Sequence, residues 1–573
     1  MGPVLTHCMT VGIIGSGPAA AAVEAALADS EHEEVRIEPA EIGETALAVV
    51  AGAAGTEQFP ETNEYALETD SRWISVEIGG IGGIPVADAS VACFSPETVC
   101  YECLSGRVSA NLDRQPDRNE IATYTSRFAG AVAGREALRF LDDDEPIFGR
   151  VLTMPYNERS VLPLPNCVCD PQQERELGRE YVERTLDDSL ARAERALDET
   201  VGIIQEVGEV ESFPVPYYLA RACETAGFSD ASAARDAAGV DADWNGAFMK
   251  ALGEALERYC AGIYRTDNFT TGAGSELDGA VSPTRFVCKR DPDPTDRIEW
   301  VTGEQLRTGE SVLLPAEFVH HPPPAKRYHS PVTTGLGLGN SSVEALLAGL
   351  YEVIERDAMM LSWYSTFEPL GLTIDDPVCE TMTNRAGSEE LSVSLLLLTQ
   401  DIDVPVVAAA VTREEWPKLA FGTGADLDVA TAARSALAEA LQNWTELRGM
   451  GPDAASDAMG AIGRYAAEPG EAAEFVDSDA TVPAATVGPD SRPAGEEELD
   501  GVLNRLEESG LDAYAARTTT RDVEQLGFEA VRAVIPGTQP LTFGDHYFGE
   551  RIETVPGELG FETRKDRSHH PFP

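Results

Sequence analysis

Lysine is almost absent from this sequence, and basic residues of either kind are few. The 573 residues include 98 Asp and Glu against 43 Lys and Arg, for a formal net charge of -55, and five of the basic residues are lysines. A surface this negative argues against a nucleic acid partner, because little would neutralise the phosphates. Dispersed acid with little lysine is typical of proteins that stay hydrated in concentrated salt, so we expect a salt-adapted protein. Ordinary acidity for solubility is the alternative.

Long apolar runs and a secretion signal are lacking as well. No apolar stretch approaches the length of a membrane span, and no basic region precedes an apolar core near Met1. We therefore expect a cytoplasmic protein without a membrane partner. In a reducing cytosol the ten cysteines more often bind metal or act in catalysis than form disulfides.

The first motif is a glycine turn. The apolar run 10–17 leads into Gly15-Ser16-Gly17-Pro18-Ala19-Ala20, and a helical pattern continues through Leu27. Strand, glycine turn and helix in this order predict a Rossmann-like start whose backbone can approach a phosphate. Glu38 lies where a ribose-binding acid would be. A Rossmann-like fold without a nucleotide explains the same pattern, because the motif stands alone.

Four cysteines lie in two close pairs. Cys100 and Cys103 have C-x2-C spacing, and Cys167 and Cys169 have the tighter C-x-C spacing. Two such pairs can complete a closed tetrahedral zinc site, which leaves no open position for catalysis. We predict a structural Zn2+ here, with buried unpaired thiols as the alternative.

Acidic and basic residues recur on two otherwise apolar segments with helical periodicity. The first segment spans about 246–264, and the second follows the glycine-rich stretch 334–340 and runs to about Met360. Buried carboxylates are costly unless they are paired or bound to metal. Carboxylates together with guanidinium groups suit Mg2+ and a triphosphate. The residues concerned are Lys250, Glu254, Glu257, Arg258, Asn340, Glu344, Glu352, Glu355 and Arg356.

Each helix taken alone has a simpler interpretation. Glu344 completes a capping box with Ser341, so it can serve as a helix cap. The Glu and Arg residues four positions apart on each helix, 254 with 258 and 352 with 356, can be ordinary helix-stabilising pairs. Only their joint spacing favours a nucleotide site.

This spacing resembles the signature of the YcaO family: S-x-x-x-E-x-x-E-R, then Q or N-x-x-x-E, then E-x-x-x-R. The phrases GLGLGNSSVEALLAGLYEVIERDA and VIPGTQPLTFGDHYFGERI and the ending His570-Pro571-Phe572-Pro573 also resemble the family. Lys250 stands where the family often has Ser. The resemblance implies ATP- and Mg2+-binding by Lys250, Glu254, Glu257, Arg258, Asn340, Glu344, Glu352 and Arg356, with the four glutamates on the metal. It also implies that Pro571 and Pro573 act in the active site.

The N-terminal third is similar to the ThiF-like, ubiquitin-activating-enzyme-like domain that accompanies YcaO in cyclodehydratases. The resemblance implies an α/β Rossmann-like domain over 1–95, a zinc-binding and linking segment over 96–188, and an α+β YcaO domain over 189–573. The implied reaction is ATP-dependent O-phosphorylation of a peptide amide, which forms azolines, in a homodimer that acts on a peptide or protein. Thioamidation or another sulfur-transfer role, and a non-catalytic scaffold that recruits substrate, are the alternatives.

Other expectations concern partners and secondary candidates. The winged-helix, leader-peptide-binding module that often precedes the ThiF-like part is not seen in the sequence, which argues against a ribosomal precursor peptide as the substrate. A separate leader-binding or sulfur-donor protein is a further expected partner. Segment 176–200 is predicted to be helical, and 452–498 to be a partly helical insertion. His569 and His570 are expected to be solvated residues near the end of the sequence, with proton transfer as the alternative. Glu439 is a secondary site candidate that packing explains equally well.

Overall fold

The structure is a computed structural model, which describes residues 9–112, 121–142, 148–155, 157–170, 176–478, 480–489, 492–542, 544 and 546–573. Two predicted segments include residues outside the described part. They are the zinc-binding segment 96–188 and the second family phrase, which contains Phe543 and Asp545. The chain divides into two compact units. The first comprises 1–174, 195–206 and 223–230, and the second comprises 175–194, 207–222 and 231–573.

The first unit contains a seven-stranded sheet with strand order β2-β1-β3-β4-β5-β6-β7. The first four strands in chain order pair in parallel, and the last three join antiparallel. The strands are β1 (Thr10–Gly15), β2 (Glu33–Arg36), β3 (Leu47–Ala53), β4 (Trp73–Ile78), β5 (Ala89–Phe94), β6 (Arg150–Thr153) and β7 (Asn157–Ser160). The helices are α1 (Pro18–Leu27), α2 (Gln58–Thr69), α3 (Tyr101–Ala110) and α4 (Thr123–Leu141).

The predicted strand, turn and helix over 10–27 are present as β1 and α1. Four of the six β1 residues are buried, as expected for a parallel strand inside a sheet. Gly17 has a backbone φ of 102°, which residues with a side chain rarely adopt, and Pro18 follows at the first helical position. Glu38 precedes a short 3-10 helix that begins at Pro39, after β2 has ended at Arg36.

Three sheets build the second unit. The first has order β10-β9-β8, the second β11-β12-β20-β21-β14 with β13 beside β12, and the third β18-β17-β16-β15-β19. Their strands are β8 (Ile204–Glu211, most of which belongs to this unit), β9 (Tyr217–Ala222), β10 (Asp236–Val240), β11 (Thr270–Ala273), β12 (Arg297–Gln305), β13 (Ser311–Pro315), β14 (Leu336–Gly339), β15 (Leu370–Thr373), β16 (Ser392–Leu397), β17 (Val406–Thr412), β18 (Leu419–Ala425), β19 (Thr481–Pro483), β20 (Tyr514–Arg517) and β21 (Glu529–Val534).

Twelve helices are described in the second unit, and two of them organise it. The nearly wholly buried α8 packs against β14, β21 and β18, and α10 packs against β17 and β18. The helices are α5 (Leu186–Ala193), α6 (Trp244–Ala261), α7 (Ala316–Val319), α8 (Ser342–Trp363), α9 (Pro377–Ser388), α10 (Val429–Met450), α11 (Pro452–Ala458), α12 (Ala461–Ala467), α13 (Gly470–Val476), α14 (Glu496–Glu508), α15 (Arg521–Leu526) and α16 (Arg551–Leu559). No helix in the described residues has both the length and the apolar character needed to span a membrane.

The sequence pattern located α6 and α8, the two helices predicted to form the site, to within three residues at each end. The N-cap side chains explain their starts: Asp243 accepts from the main-chain N–H of Gly246 ahead of α6, and Ser341 accepts from that of Glu344 at the start of α8. The glycine-rich stretch before α8 contains strand β14. A Cβ on Gly337 would lie 2.1 Å from the carbonyl oxygen of Ala345, so glycine lets α8 pack directly on this strand.

Two local expectations had mixed outcomes. Segment 176–200 contains α5 and a 3-10 turn directly after it (Glu194–Ala196), rather than a continuous helix, because residues 176–185 have no helical hydrogen bonding. The high charge of this segment therefore marked a solvated surface more than a helix. The insertion 452–498 is partly helical, as predicted, and contributes α11, α12 and α13.

Candidate active site

A cleft of about 660 Å³ lies in the second unit. Helices α6, α8 and α10 contribute its charged side chains, and the segment 331–334 and the last residue of the chain contribute to its wall. The lining residues that matter below are Lys250, Glu254, Arg258, His321, Glu352, Arg356, Thr423, Glu439, Gln442, Glu446 and Pro573. A cleft lined by this many charged groups suits a small polar ligand.

Helix α6 presents a charged face to the cleft. The Glu254 carboxylate accepts a hydrogen bond from the main-chain N–H of Ala238 and forms an ion pair with Arg258, each at 2.5 Å. The Arg258 guanidinium also donates to the carbonyl oxygen of Asp236 at 2.6 Å. Lys250 forms an ion pair with Asp241 at 2.7 Å. The predicted pair of Glu254 and Arg258 is thus present, and strand β10 holds both residues in place.

Arg356 on α8 is the centre of the cleft's charge network. Its Nη2 lies 3.7 Å from a Glu352 oxygen, and its Nη1 lies 3.6 Å from a Glu355 oxygen. The same Nη1 donates a hydrogen bond to the carbonyl oxygen of Pro573 at 3.0 Å. Arg356 therefore links two carboxylates of its own helix to the last residue of the chain.

Helix α10 adds a further carboxylate through Thr423 of β18. The Thr423 hydroxyl donates to Glu355 at 2.6 Å, and its main-chain N–H donates to Glu439 at 2.6 Å. The hydroxyl also lies 3.3 Å from Glu439, so one threonine holds both carboxylates. Glu439 lines the cleft, so the secondary candidate from the sequence lies at the site.

The cleft concentrates negative charge in a partly buried place. Burial raises the pKa of Glu257 to about 8, and the neighbouring charges of Glu352 and Glu254 add to the effect. Burial also raises the pKa values of Glu254, Glu355 and Glu439, although the nearest arginine opposes the rise in each case. Carboxylates that repel one another in this way would be stabilised by a bound divalent cation.

Three of the eight predicted nucleotide-site residues do not line the described cleft. Glu257 lies near the same carboxylates without reaching the lining. Asn340 and Glu344 hold each other at the start of α8, where the main-chain N–H and side-chain amide of Asn340 donate to Glu344 at 3.0 and 3.1 Å. Ser189 donates to the Asn340 side chain at 2.9 Å. Ser341 caps α8 by accepting from the main-chain N–H of Glu344, as one half of the predicted capping box requires. The Glu344 carboxylate is held instead by Asn340, the residue before the N-cap.

Three of the last four residues, His570, Pro571 and Phe572, are buried. Phe572 is fully buried, with ring centroids of Trp363, Phe421 and Phe475 at 6.2, 5.3 and 5.9 Å. We call these three rings the aromatic box. Pro571 is buried beside Phe572, and Pro573 lines the cleft.

The expectation of solvated tail histidines is wrong for His570. It is 4% exposed, and its Nε2 lies 3.1 Å from the carbonyl oxygen of Thr542. Burial lowers its pKa to about 4. His569 is half-buried and stacks on His546, with ring centroids 3.8 Å apart. This burial depends on packing against segments that are distant in the sequence, such as the one at Thr542, and no local pattern predicts it.

The four predicted zinc ligands come together in the first unit. Their sulfur atoms all lie within 4.8 Å of one another. The Sγ–Sγ distances are 3.8 Å for Cys100 and Cys103, 3.6 Å for Cys100 and Cys167, and 3.4 Å for Cys103 and Cys169. Zn–S bonds of about 2.3 Å in a tetrahedron place sulfur atoms about 3.8 Å apart. The main-chain N–H of Leu164 also donates to Cys103 Sγ at 3.2 Å, as is common around thiolate ligands.

Sequence reasoning missed several residues of the cleft. Thr423 had a signal: it stands between Gly422 and Gly424, and a Cβ on Gly422 would lie 2.2 Å from the main-chain nitrogen of Ala440. That glycine pair marks the close approach of α10 to β18, which places Glu439. His321 had no recognisable signal, because it lies outside both α6 and α8, in the segment between α7 and β14.

Comparison with known proteins identifies the family. Residues 238–539, more than half of the chain, match the family described as YcaO cyclodehydratase, ATP- and Mg2+-binding. An uncharacterized protein of Methanothermobacter thermautotrophicus is 29% identical over 329 residues, which cover 55% of this chain and 85% of that protein. An uncharacterized protein in the tfuA 3' region of Rhizobium leguminosarum bv. trifolii is 26% identical over 272 residues, which cover 44% and 63%.

Two solved structures share the fold. A heterocyclase in complex with substrate and cofactor gives a TM-score of 0.74 at 20% identity, covering 96% of this chain and 83% of its own. The heterocyclase TruD gives 0.66 at 18% identity, covering 97% and 82%. The mixed α/β architecture with several sheets is therefore that of heterocyclases. Together with the matched region, this shows that the chain belongs to the YcaO family.

Proposed function

We propose that this protein uses ATP and Mg2+ to phosphorylate the oxygen of a peptide amide, and that the product is an azoline ring. The observation that carries the proposal is the meeting of Glu352, Arg356 and Pro573 in one cleft of a YcaO-family chain. The heterocyclase fold supports the choice of azoline formation over other amide chemistry.

The residues of the cleft fit Mg2+ and a triphosphate. Glu254 and Glu352 line the cleft, and Glu257 lies close to both, so their oxygens form a hard ligand set whose mutual repulsion a divalent cation would relieve. Arg258 and Arg356 present guanidinium groups that match phosphate oxygens. ATP bound there with Mg2+ would supply the phosphoryl group.

The family signature supports two further assignments. We assign Asn340 and Glu344 to the nucleotide as well, at the start of α8, and Lys250 to a phosphate contact at the position that is often Ser. Lys250 is half exposed, so it can exchange Asp241 for a ligand at little cost. Glu344 would have to release the hydrogen bonds that it accepts from Asn340 to reach a metal.

The tail would position the amide that reacts. Phe572 anchors the tail in the aromatic box, and Arg356 holds the carbonyl oxygen of Pro573. Pro571 and Pro573 restrict the backbone on either side of this anchor, because proline fixes φ. A rigid segment at the cleft can orient an amide without itself rearranging, which is how positioning contributes to rate.

Substitution of Glu352 tests the site. In high salt, Glu352→Gln should raise the dissociation constant of MgATP about tenfold or more, because it removes a charge from the ligand set. Glu446→Gln is the matched control: Glu446 lines the same cleft but is held by Tyr217 at 2.8 Å and Gln442 at 3.0 Å. We expect its MgATP affinity to stay within about twofold of wild type. Unchanged MgATP binding by Glu352→Gln would show that the site is misassigned.

The product distinguishes the reaction types. The wild-type protein is incubated with MgATP and peptides that contain Cys, Ser or Thr, and the peptides are then weighed by mass spectrometry. Loss of one water supports azoline formation. Exchange of oxygen for sulfur in the presence of sulfide would instead show that the reaction is thioamidation. Bound MgATP without any modified peptide would favour a substrate-recruiting scaffold.

The N-terminal part of the proposal concerns architecture. We propose a Rossmann-like, ThiF-like domain over 1–95, a zinc-binding and linking segment over 96–188 and the YcaO domain over 189–573. The tetrahedral sulfur spacing supports a structural Zn2+ held by the four cysteines. We further propose a salt-adapted, cytoplasmic homodimer that acts on a peptide or protein and works with a separate leader-binding or sulfur-donor protein.

A further inference from the structure

His321 lies in the cleft, and none of the roles assigned above uses it. It lines the same cleft as Glu352, Arg356 and Pro573. Its main-chain N–H donates to the carbonyl oxygen of Ala261 at 3.1 Å, at the last residue of α6. The backbone at His321 is therefore fixed to the end of the helix that carries Glu254 and Arg258.

The His321 ring has an unused polar atom. Its Nδ1 is buried and has no hydrogen-bond partner among the described residues. The adjacent His320 differs: its Nδ1 lies 3.1 Å from the carbonyl oxygen of Ala261, and its ring packs against Tyr264 and Phe269. Most buried polar side-chain atoms in proteins have a hydrogen-bond partner, so an unsatisfied one on a residue that lines a cleft points to a ligand. His320 has a structural role, whereas His321 is available for chemistry.

The surroundings keep the His321 ring neutral. Burial lowers its pKa to about 4, and the positive charges of Arg532 on β21, Arg258 on α6 and Lys326 add to the effect. Glu352 and Arg356 face the same cleft from α8. A neutral imidazole can accept a proton. Once a triphosphate pairs with the arginines, its negative charge would make the ring more basic, because a nearby anion favours the protonated form.

We propose that His321 is the catalytic base of the reaction and removes the proton of the nucleophile as it adds to the amide carbon. This inference rests on the proposed function. The lone pair of the Cys, Ser or Thr side chain forms the new bond to carbon, and the carbonyl π pair moves to oxygen. The nucleophile's proton passes to His321. The oxygen then takes the γ-phosphoryl group of ATP, and ADP leaves.

The later steps restore the base. Departure of phosphate breaks the C–O bond, and loss of the amide N–H proton to solvent forms the C=N bond of the ring. The His321 imidazolium returns its proton to the departing phosphate or to solvent. The sum is loss of one water from the peptide and hydrolysis of ATP to ADP and phosphate. No oxidant or reductant is needed.

Paired histidine variants test the proposal. His321→Gln should lower peptide turnover about 100-fold or more, as expected for loss of a general base. The dissociation constant of MgATP should stay within about twofold of wild type. Added imidazole should restore part of the turnover, and the pH–rate limb that reports the base should disappear. His320→Gln, the control for folding at this position, should keep turnover within about threefold when the two proteins melt at similar temperatures.

A second measurement does not depend on peptide turnover. In 15N-histidine-labelled full-length protein, NMR should show a neutral His321 ring at pH 7, identified by its absence in His321→Gln. Adding Mg2+ with a non-hydrolysable ATP analogue should raise the pH at which this ring titrates. A charged ring at pH 7, or a titration that the analogue leaves unchanged, would overturn the proposal.

The outcomes separate this inference from the proposed function. If Glu352→Gln abolishes MgATP binding while His321→Gln turns over peptide normally, the nucleotide site stands and His321 is not the base. If Glu352→Gln binds MgATP normally, the proposed site itself fails. If imidazole does not rescue His321→Gln and MgATP affinity falls together with turnover, His321 is structural.

Discussion

Truncation of Phe572 should release the tail from the cleft. The ring is fully buried within the aromatic box of Trp363, Phe421 and Phe475. Replacing a buried Phe with Ala costs about 3–5 kcal/mol. Because Phe572 reaches the aromatic box from the irregular segment after α16, this cost falls on the docking of that segment rather than on global unfolding. Phe572→Ala should therefore weaken docking more than a hundredfold, at about 1.4 kcal/mol for each factor of ten.

Hydrogen exchange and turnover measure this loss together. We expect protection of the main-chain amides near His570 to fall about 100-fold in Phe572→Ala, and peptide turnover to fall with it. MgATP affinity should change less than about threefold, because the glutamates of the ligand set lie on α6 and α8. Phe561→Ala is the matched control: Phe561 also follows α16, but it packs on Phe367, with ring centroids 5.3 Å apart. It should change turnover less than tenfold.

Two results would refute the reasoning about the tail. If Phe572→Ala keeps both exchange protection and turnover, the aromatic box does not hold the tail. The ion pair of Arg567 with Glu471 at 3.1 Å and the packing of its guanidinium 3.6 Å from the Trp363 ring centre would then be sufficient anchors. If the melting temperature and MgATP affinity fall in step with turnover, Phe572 supports the core of the whole domain.

Two further predictions concern the metal sites. Metal analysis of wild type should find about one zinc ion per chain. Cys103→Ser should lose this zinc and melt at a lower temperature, whereas the control Cys93→Ser, at a buried cysteine outside the cluster, should retain it. Zinc retained in Cys103→Ser would contradict the site. Burial raises the pKa of Glu257 from 4.5 to about 8, so the folded protein binds this proton more tightly than the unfolded chain does. The resulting contribution to the free energy of unfolding is fully present below about pH 4.5 and is lost as the pH rises through 8. Thermal melts without Mg2+, in constant high salt, should show wild type losing stability between about pH 5 and 8 more steeply than Glu257→Gln; parallel curves would exclude the effect.

Local patterns predicted a large part of this site. The positions of α6 and α8 follow from helical periodicity, and the N-cap Ser341 and the pairs of Glu254 with Arg258 and Glu352 with Arg356 involve residues within one turn. Such interactions depend on spacing alone, because residues three or four apart always share a helix face. The C-x2-C and C-x-C pairs are local in the same sense, and the tertiary structure brings them together.

The limits of the sequence appear at Glu344 and His570. The sequence predicts Glu344 both as a metal ligand and as half of a capping box with Ser341. Its carboxylate accepts hydrogen bonds from Asn340 instead of the N-cap main chain, and its metal role stays a proposal. His570 was expected in solvent and is buried, because distant segments cover it. Neither outcome follows from neighbouring residues.

The sequence by itself determined the family signature, the two charged helices and the cysteine pairs, since each depends on spacing within a short stretch. Only the tertiary structure decided which charges share the cleft. Thr423, Glu439, His321 and Pro573 reach Arg356 and its surroundings from segments that lie far apart along the chain. Their meeting depends on the packing of α8 and α10 against β18 and on the burial of Phe572. These are long-range contacts, whose free energy comes from the assembled core rather than from any local pattern.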